Sequence, residues 1–376
     1  MIGASAGEHP IRIGVNALYL IPGGVGGTEI YLRNLLSALS RIDASNDYFI
    51  FTNRETGAEL VPQAPNFHHH AQHVRATNRP WRLIWEQTIL PLVVRQLRLD
   101  CLFNPGFTAP ALLSCPNITV FHDLQHKRHP EHFRWFDLPF WNFFLGLAVQ
   151  HSERLLADSE ATRADLRRFY RVPENKMEVV PLGVEEEFFR IGEQRNITDP
   201  MVLCVSTLHP HKNLERLIRV FAQLRDRHPD FLLVIAGLRG FHAGPVEALI
   251  DQLSLRNAVR LTGWIPREEL YHLFRKARAF VYPSTFEGFG LPVLEAMAAG
   301  IPMACSSVEP LASLTSDAAL HFAPDDDAGM LDALTSIVEN ESLRSELAGR
   351  GRIRAKQFHW DTCARRTLRA IRYAGA

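Results

Sequence analysis

Cysteine is scarce and poorly placed for cross-linking. The five cysteines, Cys101, Cys115, Cys204, Cys305 and Cys363, are odd in number, scattered, and never form Cys-x-x-Cys. This argues against a disulfide framework or a zinc-thiolate site and fits a reducing compartment. A charge excess of one sign is also absent: Lys plus Arg and Asp plus Glu both count 41. Without an overall basic field, a nucleic-acid partner is not expected. No apolar run reaches the roughly 18 residues of a membrane span. The nearest, Trp135 to Val149, is 15 long and interrupted by Asp137 and Asn142. The start of the chain, MIGASAGEHPIRIGVNALYL, lacks a basic segment, apolar run and small-residue cleavage site in series, so a cytoplasmic location is expected. Neither a repeat of about 20 to 50 residues nor a low-complexity tract is visible.

What is present is a 376-residue chain, 46% hydrophobic and 22% charged, long enough for two globular domains. In its second half the apolar runs MVLCVSTL, DFLLVIAG, AVRLTGW, AFVYPS and IPMACSS alternate with amphipathic stretches such as NLERLIRVFAQLRDRHP. The first half does the same less cleanly, with IRIGVNALYL, DYFIFTN, DCLFNP, NITVFHD, RLLADSE and MEVVPLG as strands. Repeated βα units predict an α/β chain of two Rossmann-like domains, each a parallel sheet with helices on both faces. The expected boundaries are 1–183 and 184–359, with a linker at Gly183 to Pro200 and the cleft of two facing domains as the ligand site. The amphipathic segment 360–376 can pack on either domain and is expected to join the first.

Several groups have the residue types that chemistry needs. HPHKN follows the strand VLCVSTL, so Asn213 is a natural N-cap and Lys212 stands near free helix amides, an anion site. A plain loop with a solvated lysine is the alternative. IPGGVGGTE places Gly23, Gly24, Gly26 and Gly27 between the first strand and helix, but it is not G-x-G-x-x-G. The acidic residue of a dinucleotide site is replaced at the end of the second strand by Asn53 and Arg54. His122 and Asp123 end a strand, where catalytic groups of such sheets sit, although a structural histidine is the commoner outcome.

Glu287, beside a Gly-Phe-Gly turn, and Glu295, in the first turn of a helix opened by Pro292, are eight residues apart. They could serve as an acid and base pair, or as acceptors for hydroxyls on one long ligand. Two other clusters offer metal-ligand types. Asp325 to Asp327 reads as an N-cap run and His68 to His73 as a surface loop, so no metal is expected.

Together these residues resemble retaining glycosyltransferases of the GT-B fold, glycosyltransferase family 4. The resemblance is most specific in EGFGLPVLEAMAAG, Glu287 to Gly300, similar to the family's glutamate, seven residues, glutamate motif. GGVGGTE, FHDL, PLGVEEEFF, HPHKN and LTGWIPREEL support it in the family's order. The resemblance implies that Glu287 contacts the donor sugar, Glu295 the ribose and Lys212 the diphosphate, assisted by the backbone of Gly288, Phe289, Gly290 and Leu291. It further implies Gly26 and Gly27 near phosphate and acceptor, His122 with Asp123 near the transferred sugar, and Gly263, Trp264 and Ile265 beside the base. Where many members carry an arginine before the lysine this chain has Thr207, so His211, when protonated, is the expected second positive group.

The implied activity is metal-independent, cofactor-free hexosyl transfer with retention, in surface polysaccharide or glycolipid synthesis. GDP-mannose is the first donor, a UDP-hexose the second, and the acceptor is a carbohydrate or a lipid-linked molecule. A nucleotide-sugar 2-epimerase, a phosphorylase, or a non-catalytic sugar-nucleotide-binding subunit are the alternatives. The aromatic stretch His132 to Leu147 reads as a buried helix, with peripheral contact at the inner membrane face as the other reading.

Overall fold

The apolar runs become strands that pair in parallel throughout both sheets of the computed structural model, which describes residues 9–24, 26–195 and 199–374. The chain forms two compact units, Met1–Pro181 with Trp360–Ala376, and Leu182–His359.

The first unit holds β1 (Arg12–Asn16), β2 (Asp47–Thr52), β3 (Phe67–Ala71), β4 (Cys101–Asn104), β5 (Asn117–Phe121), β6 (Arg154–Ala157) and β7 (Met177–Val179), in the order β3-β2-β1-β4-β5-β6-β7. Strands β4 and β5 are buried along their whole length, which is why they read as unbroken apolar runs. The last helix, Trp360–Ala374, packs on the helix Gly27–Ile42 and against β4, β5 and β6. It buries Trp360, Cys363, Ala364, Ala370 and Ile371, while Arg369 bonds Glu178 at the end of the sheet (2.7 Å). The chain thus returns to the first unit for its final helix.

The second unit holds β8 (Met201–Val205), β9 (Leu232–Ala236), β10 (Val259–Gly263), β11 (Ala279–Tyr282), β12 (Met303–Ser306) and β13 (Leu320–Phe322), in the order β10-β9-β8-β11-β12-β13. Its core packs Val202, Cys204, Ile235 and Val281 of the sheet against Leu217, Phe221 and Leu334 of the helices. The chain adds β9 on one side of β8 and β11 on the other. β8 and β11 therefore flank the topological switch point of the sheet, whose crevice at the carboxyl ends of the strands is where ligands of such sheets bind.

Three expectations are corrected. The segment read as a linker contains a helix, Glu186–Gln194, that buries Phe188 and Ile191. Phe188 packs edge-on to Tyr271 (5.3 Å) and Phe274 (4.9 Å). A Cβ on Gly192 would lie 2.5 Å from the Ala298 carbonyl, so that glycine serves close helix packing and is no linker signal. Asn196 to Thr198 of the same segment lie outside the described residues. His68 to His70 form no loop but belong to the edge strand β3, in register with β2, where His69 Nε2 meets Thr52 Oγ1 at 2.7 Å. An edge strand carries polar side chains because one of its sides faces water. The aromatic helix Leu138–His151 is not buried as a whole. Leu145, Ala148 and Val149 enter the core, while Trp135, Phe136 and Phe143 are exposed.

Candidate functional site

The crevice of the second unit is built by two loops laced together. After β8 the chain makes a 3-10 turn, Pro210–Lys212, before the helix Leu214–Arg227. After β11 it runs through Pro283 to Gly290 into the helix Leu291–Ala298. Thr285 N and Ser284 Oγ both donate to the His211 carbonyl, at 2.7 and 3.1 Å. Asn213 sits at the N-cap position with left-handed φ of 57°, but its side chain makes no cap bond. Its amide instead donates to the carbonyls of Pro283 (3.1 Å) and Pro324 (2.8 Å), tying three loops together.

This lacing brings Lys212 and Glu287, far apart in sequence, to 2.6 Å. Lys212 Nζ also donates to the Tyr282 hydroxyl at 3.1 Å. Both side chains of the pair are nearly enclosed, 14% and 10% exposed, so the charges meet in partly dehydrated surroundings. Burial, and then the Glu287 carboxylate, hold the Tyr282 phenol well above its ordinary pKa, so it stays a neutral donor. Behind the pair Cys204 is pushed up to about 12, mainly by burial, and is a packed thiol.

Gly290 has φ of 107°, and a Cβ there would lie 2.5 Å from Leu311 Cδ2. Glycine is therefore required at the turn that opens the helix. Phe289 between the two glycines is buried and packs edge-on to Phe358 (6.1 Å). Glu295 is the fifth residue of this helix, just past the first turn where it was expected, because the helix starts at Leu291, one residue before Pro292. It is buried and bonds Arg267 (2.6 Å), which also bonds Glu185 (2.7 Å). Burial raises the Glu295 carboxyl's pKa, and Arg267 opposes that rise.

The remaining expected residues of this unit are spread around the same strand ends. Gly263 closes β10 with φ of 69°, and Trp264 beyond it is exposed. His211 is buried, its ring parallel to that of His209 (5.8 Å). The Thr207 carbonyl accepts from His209 N at 2.8 Å.

In the first unit His122 follows β5 and Asp158 follows β6, so adjacent parallel strands set them side by side. His122 Nδ1 lies 2.6 Å from Asp158 Oδ2, and Nε2 lies 2.8 Å from the Pro105 carbonyl. A carbonyl only accepts, so Nε2 carries a proton, and the carboxylate favours a second one on Nδ1. Burial alone would lower this pKa, but Asp158 and the Pro105 carbonyl outweigh it and the net shift is upward. Asp123 Oδ1 accepts from Gln125 N (2.9 Å).

At the glycine loop, Gly26 precedes the helix Gly27–Ile42 with φ of 59°, and Gly23 N donates to Glu29 (2.7 Å). Asn53 is committed to structure, its amide donating to the carbonyls of Leu18 (2.9 Å) and Leu20 (2.7 Å). It thus anchors the loop after β1 at the position where a dinucleotide fold keeps a ribose acid.

Sequence reasoning missed Tyr282, Arg267, Glu185 and Asp158, which reach the sites only through tertiary contacts. It also missed His129, Glu131 and His132, whose ligand atoms all lie within 4.8 Å of one another. Asp326 caps the helix Asp327–Glu339 by accepting from Gly329 N (2.9 Å), as its neighbourhood predicted.

Two family models match the chain, "Glycosyltransferase Family 4" over residues 25–188 and "Glycosyl transferases group 1" over residues 185–354. With two parallel-sheet units and the two-glutamate motif at the crevice, the chain belongs to family 4 of the GT-B glycosyltransferases. It is 28% identical over 282 residues to O-antigen chain mannosyltransferase B of Escherichia coli, an alignment covering 72% of this chain and 73% of that protein.

The fold is shared with sucrose-phosphate synthase of Thermosynechococcus elongatus. The TM-score is 0.79 at 20% identity, over 96% of this chain and 98% of that one. It is shared too with HepE of Anabaena, solved in complex with UDP and glucose, with a TM-score of 0.75 at 18% identity over 96% and 100% of the two chains.

Proposed function

We propose that this glycosyltransferase moves a mannosyl group from a nucleotide sugar to an acceptor hydroxyl in surface polysaccharide or glycolipid synthesis, with retention and without a metal. The observation that carries the reading is the meeting of Lys212 and Glu287 on the loops after β8 and β11. A lysine fixed at such strand ends suits a diphosphate, and a carboxylate beside it suits sugar hydroxyls.

In this reading Lys212 offsets charge on the leaving diphosphate, Glu287 orients the sugar and Glu295 the ribose. His122, Gly26 and Gly27 are the first unit's contributions to transfer. The acceptor oxygen attacks the anomeric carbon on the face from which the diphosphate leaves, and its proton passes to the departing phosphate oxygen. Mannose is favoured by the E. coli O-antigen relative, which makes GDP-mannose the first donor. A UDP-hexose is second, since HepE is solved with UDP and glucose.

A thermal-shift panel of GDP, UDP, ADP and their sugars tests the donor, because a bound ligand raises apparent stability. GDP and GDP-mannose should give the largest shifts; no shift with any of them would sink the reading. Transfer should survive EDTA. Glu287→Gln should trap no covalent adduct yet keep weak transfer with retention. Turnover of donor without acceptor would favour the epimerase instead.

Among the described residues no helix is long and apolar enough to cross a membrane. Exposed Trp135, Phe136 and Phe143 beside Arg134 nevertheless suit peripheral contact of a cytoplasmic protein with an anionic lipid surface. Flotation with phosphatidylglycerol vesicles should fall in Trp135→Ser with Phe143→Ser; unchanged flotation would exclude that contact.

A further inference from the structure

Glu295 has its side chain only 4% exposed, and a carboxylate so enclosed needs a cation or it takes up a proton. The cation is Arg267, which opens the helix Arg267–Lys276. Arg267 Nη2 lies 2.6 Å from Glu295 Oε1 and 2.7 Å from Glu185 Oε1, and its Nε lies 3.3 Å from Glu185 Oε2. Tyr271, one turn further along the same helix, donates to Glu185 Oε2 at 2.5 Å. The guanidinium is flanked by the rings of Phe188 (5.1 Å) and Tyr271 (5.6 Å). It is therefore pinned from several sides, unlike a solvated first-turn arginine.

One guanidinium between two carboxylates leaves the cluster with a net negative charge. Such a cluster repels phosphate and accepts from neutral hydroxyls. Arg267 also follows the loop Gly263 to Ile265, the expected base subsite, by two residues. The cluster therefore links that loop to the helix bearing Glu295.

We propose that Arg267 is the positioning residue of the ribose subsite, held by Glu185 and Tyr271 so that it binds Oε1 of Glu295 and turns Oε2 toward the ribose hydroxyls. The same bond sets the spacing between ribose and base. This rests on the reading of Glu295 as the ribose carboxylate.

The test compares calorimetric binding of GDP and 2′,3′-dideoxy-GDP, with UDP and its dideoxy form as a second pair. The proteins are the wild type, Arg267→Gln and Arg267→Lys. The wild type should prefer the ribose form by about 10-fold or more, the worth of hydrogen bonds to a charged acceptor. Arg267→Gln should lose most of that preference, by binding GDP more weakly with little change for the dideoxy form. Arg267→Lys should restore part of it, and kcat at saturating donor should hold while KM rises.

A wild-type preference retained in Arg267→Gln would overturn the assignment of Arg267 while leaving Glu295 in place. Equal binding of both forms by the wild type would instead remove the ribose reading, and this proposal with it. Should Arg267→Gln fail to fold, Tyr271→Phe decides: a smaller preference supports the role, an unchanged one refutes it.

Discussion

Replacing Glu287 with glutamine should strengthen nucleoside diphosphate binding while weakening transfer. The carboxylate stands 2.6 Å from Lys212, so it holds the cation that a diphosphate needs. Two unit charges 4 Å apart attract by about 4 kcal/mol at an effective dielectric constant of about 20. The amide keeps a hydrogen bond to the lysine but loses the charge, and a bound diphosphate no longer faces a neighbouring carboxylate. We expect a gain of about 1 to 2 kcal/mol, or roughly 5- to 30-fold in Kd. The unliganded variant should also melt lower, since a nearly enclosed lysine loses its counter-charge, a change worth at most about 3 to 5 kcal/mol. Its ligand-induced melting shift should exceed that of the wild type. Titration calorimetry with GDP and UDP reads the affinity, and a transfer assay reads the loss. Equal or weaker binding by Glu287→Gln would refute the view that Glu287 and the diphosphate compete for Lys212.

Gly290→Ala places a side chain at φ of 107°. It should cost about 1 to 3 kcal/mol, or roughly 2 to 4 °C in Tm per kcal/mol; an unchanged Tm would contradict the need for glycine there. His122 has its pKa raised in the folded state above the ordinary 6.5. Its pairing therefore stabilises fully below that ordinary value and is lost as pH rises through the folded value. The Tm gap between wild type and Asp158→Asn should be wider at pH 6 than at pH 9, and a gap independent of pH would show that His122 is not held protonated.

Much of the fold was legible because parallel strands buried on both faces leave apolar runs that need no partner to be seen. That signal failed where burial is one-sided. β3 carries three histidines on an edge, and the helix Glu186–Gln194 starts with a charge run and contains a glycine used for close packing. The candidate site was legible where local chemistry dictates it, in the Gly-Phe-Gly turn before the helix and in the motif from Glu287 to Glu295. It was not legible where distant residues decide. Arg267 in REEL looks like a solvated first-turn residue until Glu185 and Glu295 close on it. Asp158 lies 36 residues beyond His122 and meets it only because β5 and β6 pair. Asn213 has the right residue type for a cap, yet the carbonyls of Pro283 and Pro324 claim its amide.

The most direct measurement compares affinity for a nucleoside diphosphate with that for its monophosphate and free nucleoside, in wild type and in Lys212→Ala. A diphosphate anchored at Lys212 predicts at least about 10-fold preference over the monophosphate, collapsing toward equality in Lys212→Ala while nucleoside affinity stays unchanged. The same preference in both proteins would contradict a diphosphate site at the strand ends of the second unit.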